Sequence, residues 1–165
     1  MPSPDTLTLP GEICTYLQNV GTTTTALIYS SGGERNLYVG SMPDAGTTAN
    51  PVPDLCVAVI QRPGLTPLGV LQGQTGNATA LKFARPAVQI LTRAGQAQYQ
   101  AGDQLAESIF GTLHGLSDIV LNSGGALFHR LWALSSPAYL GQTGGRERHL
   151  WSLNMETWWE DPALG

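Results

Sequence analysis

Apolar residues near the start of the chain recur at helical spacing. Leu9, Ile13, Leu17 and Val20 share one face, and Gly21 follows as a stop, which predicts a short first helix over residues 9–20. Residues 22–33 are rich in Thr, Ser and Gly, with a brief apolar patch at 26–29. Residues 36–41 read as a strand closed by Pro43 and Asp44, and residues 44–53 are loop by composition. From 55 to 60 both alternating sets are apolar, Leu55, Val57 and Val59 against Cys56, Ala58 and Ile60, which marks a central strand covered on both sides and ended by Pro63 and Gly64. Residues 65–79 form a long loop, of a length that is usually either functional or disordered.

A strand is expected over 82–93, with Val88, Ile90 and Thr92 on one face and Gln89, Leu91 and Arg93 on the other. Pro86 lacks an N–H, so it belongs near the strand's start or on an edge. Residues 96–116 are the clearest helix: Ala101, Leu105, Ile109 and Leu113 form a stripe widened by Ala106 and Phe110, and Gly115 sits at the stop. A short strand follows over 118–122, then a turn at 123–125. A strand over 126–135 sets Leu127, His129, Leu131 and Ala133 against Phe128, Arg130, Trp132 and Leu134. Residues 136–146 read as a hairpin connection. In a final strand over 147–159, Trp151, Leu153, Met155 and Trp159 oppose Ser152, Asn154 and Glu156. The order α-β-β-β-α-β-β-β predicts an α+β fold: a mainly antiparallel sheet with two helices packed on one face, in one domain spanning 1–165.

Composition changes the picture in one respect. The chain is 42% hydrophobic but only 12% charged, with a net charge of −4 over 165 residues, where soluble domains carry roughly 25% charged residues. A surface so short of charge suits a protein that works assembled with others, the alternative being a soluble domain with a polar, uncharged surface. Lys82 is the single lysine and the seven arginines are scattered, so no basic stripe for gripping nucleic acid is expected. Residues 1–10 lack a basic segment and an apolar run, so no secretory signal is expected. No stretch approaches the roughly 18 apolar residues of a membrane span. Cys14 and Cys56 lie in apolar contexts without CxxC spacing and read as buried free thiols, with a pairing between them left to the coordinates.

The candidate chemistry is thin. His114 ends the second helix, and His129 and His149 flank the last hairpin as candidate cross-strand neighbours, but no metal-ligand spacing is present. There is no Gly-x-Ser-x-Gly elbow, and the Gly pairs lack both a phosphate-binding lysine and a following helix. Asp5 with Glu12, and Glu156 with Glu160 and Asp161, read as solvated carboxylates rather than acid/base pairs. The expectation is no catalytic, metal or cofactor-binding residue, and no cofactor.

The second half of the chain carries a larger pattern. Phe83-Ala84-Arg85-Pro86-Ala87-Val88 precedes a long amphipathic helix ending at Leu113-His114-Gly115-Leu116. After another strand come Ser136-Pro137-Ala138-Tyr139-Leu140-Gly141, a turn to Gly145-Arg146, and a strand holding Trp151-Ser152-Leu153-Asn154. This order and spacing resembles the tail terminator and minor capsid proteins of phages with long non-contractile tails and of related gene transfer agents. The upstream strands and the first helix fit the same plan. The matching positions are Arg85, Pro86, Pro137, Leu140, Gly141, Gly145, Arg146 and Asn154. The turn Gln142-Thr143-Gly144 departs from the acidic turn of many relatives, and the 65–79 loop is longer than theirs. Gly and Pro at these places also serve turn chemistry alone, and Arg146 fits a structural and an interface role alike.

The resemblance implies a structural virion protein, not an enzyme. It implies a ring of six copies on the last ring of the tail tube that stops polymerisation and presents a surface to the head. The implied partners are further copies of itself, the tail tube protein and a head-completion or connector protein. DNA would pass through the lumen without sequence-specific binding, and no membrane is involved. The implied location is the head–tail joint of the virion, reached from the host cytoplasm during assembly. Tyr29, Leu68, Leu71, Pro137, Tyr139, Leu140, Gly141, Gly145 and Arg146 are the candidate contacts to neighbouring copies and the tube. Two rivals are another neck protein of the same assembly and, from a different class, a small α+β ligand-binding domain or enzyme.

Overall fold

The computed structural model describes residues 8–29, 35–44, 52–64, 83–123, 125–143 and 147–160. Helix α1 (Leu9–Val20) starts at Thr8, whose hydroxyl accepts from the Gly11 N–H at 3.3 Å, with Pro10 in the first turn where its missing N–H costs nothing. It ends at Gly21, whose φ of 63° is the left-handed conformation a C-terminal stop requires. Its face of Leu9, Ile13 and Leu17 is buried as the spacing predicts.

Among the described residues eight strands form one sheet: β1 (Leu37–Val39), β2 (Cys56–Arg62), β3 (Phe83–Ala84), β4 (Ala87–Ala94), β5 (Ile119–Val120), β6 (Leu127–Ala133), β7 (Ala138–Thr143) and β8 (Arg148–Glu160). The path runs β1-β2-β4-β8-β6-β5, with β3 and β7 also paired to β8. Every pairing is antiparallel except β1 with β2. The 13-residue β8 is the axis. On one side it meets β4 and then β3; on the other it meets β7 and then β6. Its alternation is the one expected, with Trp151, Leu153, Met155 and Trp159 buried on one face.

Helix α2 (Tyr99–Leu113) follows a 3₁₀ turn (Gln96–Gln98). Both helices pack on the same sheet face, where Leu9, Ile13, Leu105, Ile109 and Leu113 meet Val57, Val59, Ile90, Leu153 and Met155 in one core. Burying each such side chain contributes about 1.5–3 kcal/mol. The α+β class and the one-sided helix layer are therefore as expected. On the other face Cys56 and Ala58 pack with Tyr38, Met42 and Val52, which covers the second side of β2.

Four details differ from the sequence reading. The 82–93 strand is split: β3 and β4 are separated at Arg85 and Pro86, and Lys82 lies outside the described residues. Thr157 bridges the break, donating its N–H (3.2 Å) and hydroxyl (2.8 Å) to the Pro86 carbonyl. Second, the 136–146 connection contains strand β7, so the observed order has one more strand on each side of α2. Third, a bulge between Phe128 and Arg130 shifts the phase of β6, so Phe128 and Leu131 share the core face that strict alternation denies them. Fourth, Gly102, not Ala101, lies in the buried stripe of α2, since a Cβ there would stand 2.5 Å from the Trp151 ring and 2.7 Å from the Ala94 Cβ.

Glu12 also departs from expectation. It is buried at 4% exposure, and the Asn122 side-chain amide donates to its carboxylate at 2.6 Å and to its backbone carbonyl at 2.8 Å. Asp5 lies outside the described residues. Burial pushes the Glu12 carboxyl above its ordinary value of 4.5, and the Asn122 bond pulls the other way.

Two outcomes follow from this packing. Gly102→Ala destabilises the fold by about 1–3 kcal/mol through overpacking, which the roughly 1 kcal/mol gain in helix propensity does not offset; urea melts measure it. A carboxyl held above its unfolded value subtracts from stability once ionised, and the loss is recovered as pH falls through the folded value towards 4.5. Glu12→Gln is therefore more stable than the parent at pH 7–8, with the advantage fading towards pH 4.5, as a series of melts across that range reads directly.

Candidate functional site

Of the nine candidate contacts, the structure gathers four on or beside β7. Pro137 leads into the strand, and Tyr139, Leu140 and Gly141 lie within it. A bulge between Tyr139 and Gly141 leaves Leu140 as the extra residue, 53% exposed. Gly141 has φ 96°, a conformation that a side chain would strain. Among the described residues, strand β7 hydrogen-bonds to β8 along one side only. Its other side is a sheet edge.

Tyr139 is 44% exposed and tied inward at the same time. Its ring lies 5.3 Å from those of Tyr99 and Trp151, centre to centre, and its hydroxyl is 2.8 Å from His149 Nδ1. His149 Nε2 faces the Gln96 carbonyl at 3.1 Å, which can only accept, so Nε2 carries the proton and Nδ1 accepts from the tyrosine. Trp151 donates its indole N–H to Asp103 at 3.2 Å. One corner of the sheet, the 3₁₀ turn and the start of α2 are thus locked into a rigid aromatic platform from which Leu140 projects.

The other candidates are elsewhere. Tyr29 is half-buried against the main core near α1, its N–H donating to Gln18 and its ring under Arg35 at 5.2 Å. Leu68, Leu71, Gly145 and Arg146 lie outside the described residues, as do all of the 65–79 loop and most of the 44–53 loop. Exposed apolar side chains that the sequence reading did not single out include Tyr99, Trp132 and Leu134, at 45%, 42% and 65%. For Trp132 and Leu134 the signal was available: apolar residues alternated on both faces of β6, and only one face can meet the helices.

The groups tested for chemistry are placed for structure. His129 and His149 are not cross-strand neighbours. His129 sits between Asp118 (3.2 Å) and Glu160 (3.3 Å) at the far end of β8 from His149. His114 Nδ1 accepts from the Ala133 N–H at 3.1 Å, satisfying a donor on the rim of β6. Cys14 and Cys56 are free and buried. Burial raises both thiols, Cys56 to about 11, which leaves them without thiolate character at neutral pH. Glu156 is held below its ordinary value first by the hydrogen bond from Arg85, at 2.9 Å, and then by the Trp158 indole. Among the described residues no group of three or more His, Cys, Asp or Glu side chains could hold a metal ion.

Comparison with known proteins gives the arrangement a context. No curated protein matches the chain. A chain of a solved structure described as "Virion of native gene transfer agent (GTA) particle" is 16% identical, with 76% of this chain and 78% of that chain covered and a TM-score of 0.49. A family model described as "Bacteriophage tail terminator protein" matches residues 16–158, from within α1 almost to the end of β8. The match takes in both layers of the fold and all of β7, and the chain belongs to the bacteriophage tail terminator family, whose members are structural proteins of the virion and not enzymes.

Proposed function

We propose that six copies of this chain close into a ring on the last ring of the tail tube, stop its polymerisation and offer the head a surface to join. The partners in this reading are the neighbouring copies, the tail tube protein and a head-completion or connector protein. DNA passes through the lumen unread. The ring sits at the head–tail joint and is built in the host cytoplasm.

One observation carries the reading beyond the family: the open edge of β7 with Leu140 raised on its bulge. An unpaired strand edge is a template for another chain, and proteins that do not use such an edge protect it with charge or cover. Strand β7 carries no charged residue. It is held in place by Tyr139, Tyr99, His149 and Trp151, so docking on it orders little that is not ordered already. Exposed aromatic and aliphatic anchors on a rigid base are what interface energetics favour.

The test separates the anchor from its support. Leu140 is 53% exposed and belongs to none of the buried clusters, so the melt of Leu140→Asp stays within about 0.5 kcal/mol of the parent, yet it fails to cap: tail tubes grown in its presence run past normal length in electron micrographs. Tyr139→Asp fails too, but loses stability with the His149 bond. Tubes of normal length with folded Leu140→Asp refute the role given to β7.

A further inference from the structure

Although arginines are scattered along the sequence, the fold collects them. Of the six arginines among the described residues, Arg62, Arg85, Arg93, Arg130 and Arg148 all stand on the helix-free face of the sheet, and only Arg35 does not. Arg93 and Arg148 are buried there and spent on the feet of the 44–53 loop, at Pro43, Asp44, Pro53 and Asp54. Arg85 is paired with Glu156. The helix layer is the reverse. Neither α1 nor α2 contains a lysine or arginine, and their acids are Glu12, Asp103 and Glu107. Of these acids Glu12 is buried, so the exposed acid on the helices is Glu107 of α2.

Arg130 is the cation on the helix-free face with most left to give. Its guanidinium lies over the Trp132 ring at 4.7 Å, and it makes no hydrogen bond among the described residues. Trp132 is 42% exposed, steadied by His114 at 4.4 Å, and Leu134 beyond it is 65% exposed. A stacked, pre-oriented guanidinium beside two exposed apolar side chains is the composition of a binding hot spot. On α2, Gln104, Glu107 and Gly111 are exposed along one line. A Cβ at Gly111 would meet nothing within 4 Å, so the helix backbone there is bare and can take a flat ring.

We infer that the Arg130–Trp132–Leu134 patch docks on the exposed face of α2 of the next copy, with Glu107 taking the Arg130 guanidinium. The two patches are different surfaces, so the contact is heterologous, the kind that builds a ring when its rotation closes. Charge complementarity favours this occupant over the alternatives: α2 contains Asp103 and Glu107 and no lysine or arginine, and opposite potentials set register and direction in such contacts. The inference rests on the ring reading above and adds its geometry: sheet face to helix face, around the circle.

Arg130→Glu and Glu107→Arg test it together, by sedimentation over a concentration series reaching that at which the parent chain assembles. Each variant alone sets like charges against each other and raises the half-assembly concentration at least tenfold, with an unchanged melt. An equimolar mixture of the two assembles like the parent, because alternating copies present one native and one exchanged pair. Glu107 is an exposed helix position, so that variant remains informative even where Arg130→Glu folds poorly. Unchanged assembly of the folded single variants overturns the docking while leaving the ring intact, and so does a mixture that stays dissociated. A variant Arg130→Glu that loses only binding to duplex DNA also overturns it, assigning the face to nucleic acid. A parent chain that assembles at no concentration and on no tube end removes the ring reading itself.

Discussion

The pairing of β8 on both sides is the constraint on which the rest of the structure depends. Each of its neighbours is a broken strand, β3 with β4 on one side and β6 with β7 on the other, and β8 runs unbroken past both breaks. The breaks are chemically distinct. At Arg85 and Pro86 the ladder loses a donor, and Thr157 repairs it from β8 with two hydrogen bonds to one carbonyl. Between β6 and β7 the Leu134 N–H still donates to the Asn154 carbonyl at 2.9 Å, so the sheet continues across the bend. Without the continuous strand, four short segments would have no common template.

What the sequence made legible is the part governed by period. The first helix, the central β2 and the long β8 each repeat apolar residues at 3.6 or 2 over enough positions for the face to be unambiguous. The misses have local causes. Gly102 carries no hydrophobic signal, so a helix stripe defined by apolar residues slides to Ala101. The bulge beside His129 inverts the phase of β6, and no residue type announces it. Strand β7 is hidden because Pro137, Gly141 and Gly144 read as turn chemistry, and because most of its side chains are exposed.

The candidate contacts were legible to a lesser degree, for a physical reason. Tyr139 and Leu140 stood out as apolar residues and Gly141 as a position matching the family pattern, and they do share one edge. Tyr29 stood out in the same way but packs against the core. Local composition cannot say which side of an apolar residue faces solvent. The collection of arginines was illegible altogether, since it comes from strand registers: Arg62, Arg85 and Arg130 are far apart in the chain and are brought to one face only when β2, β4 and β6 align around β8.

The place of β8 in chain order has a consequence for synthesis. A ribosome delivers it after every strand it joins, so β4, β6 and β7 wait with unmatched backbone until those thirteen residues emerge. A nascent chain interrupted before then has no finished sheet, no Tyr139 platform and no arginine-bearing face. The order of translation therefore acts as proofreading, because only a polypeptide that includes β8 acquires the surfaces by which it could enter a particle.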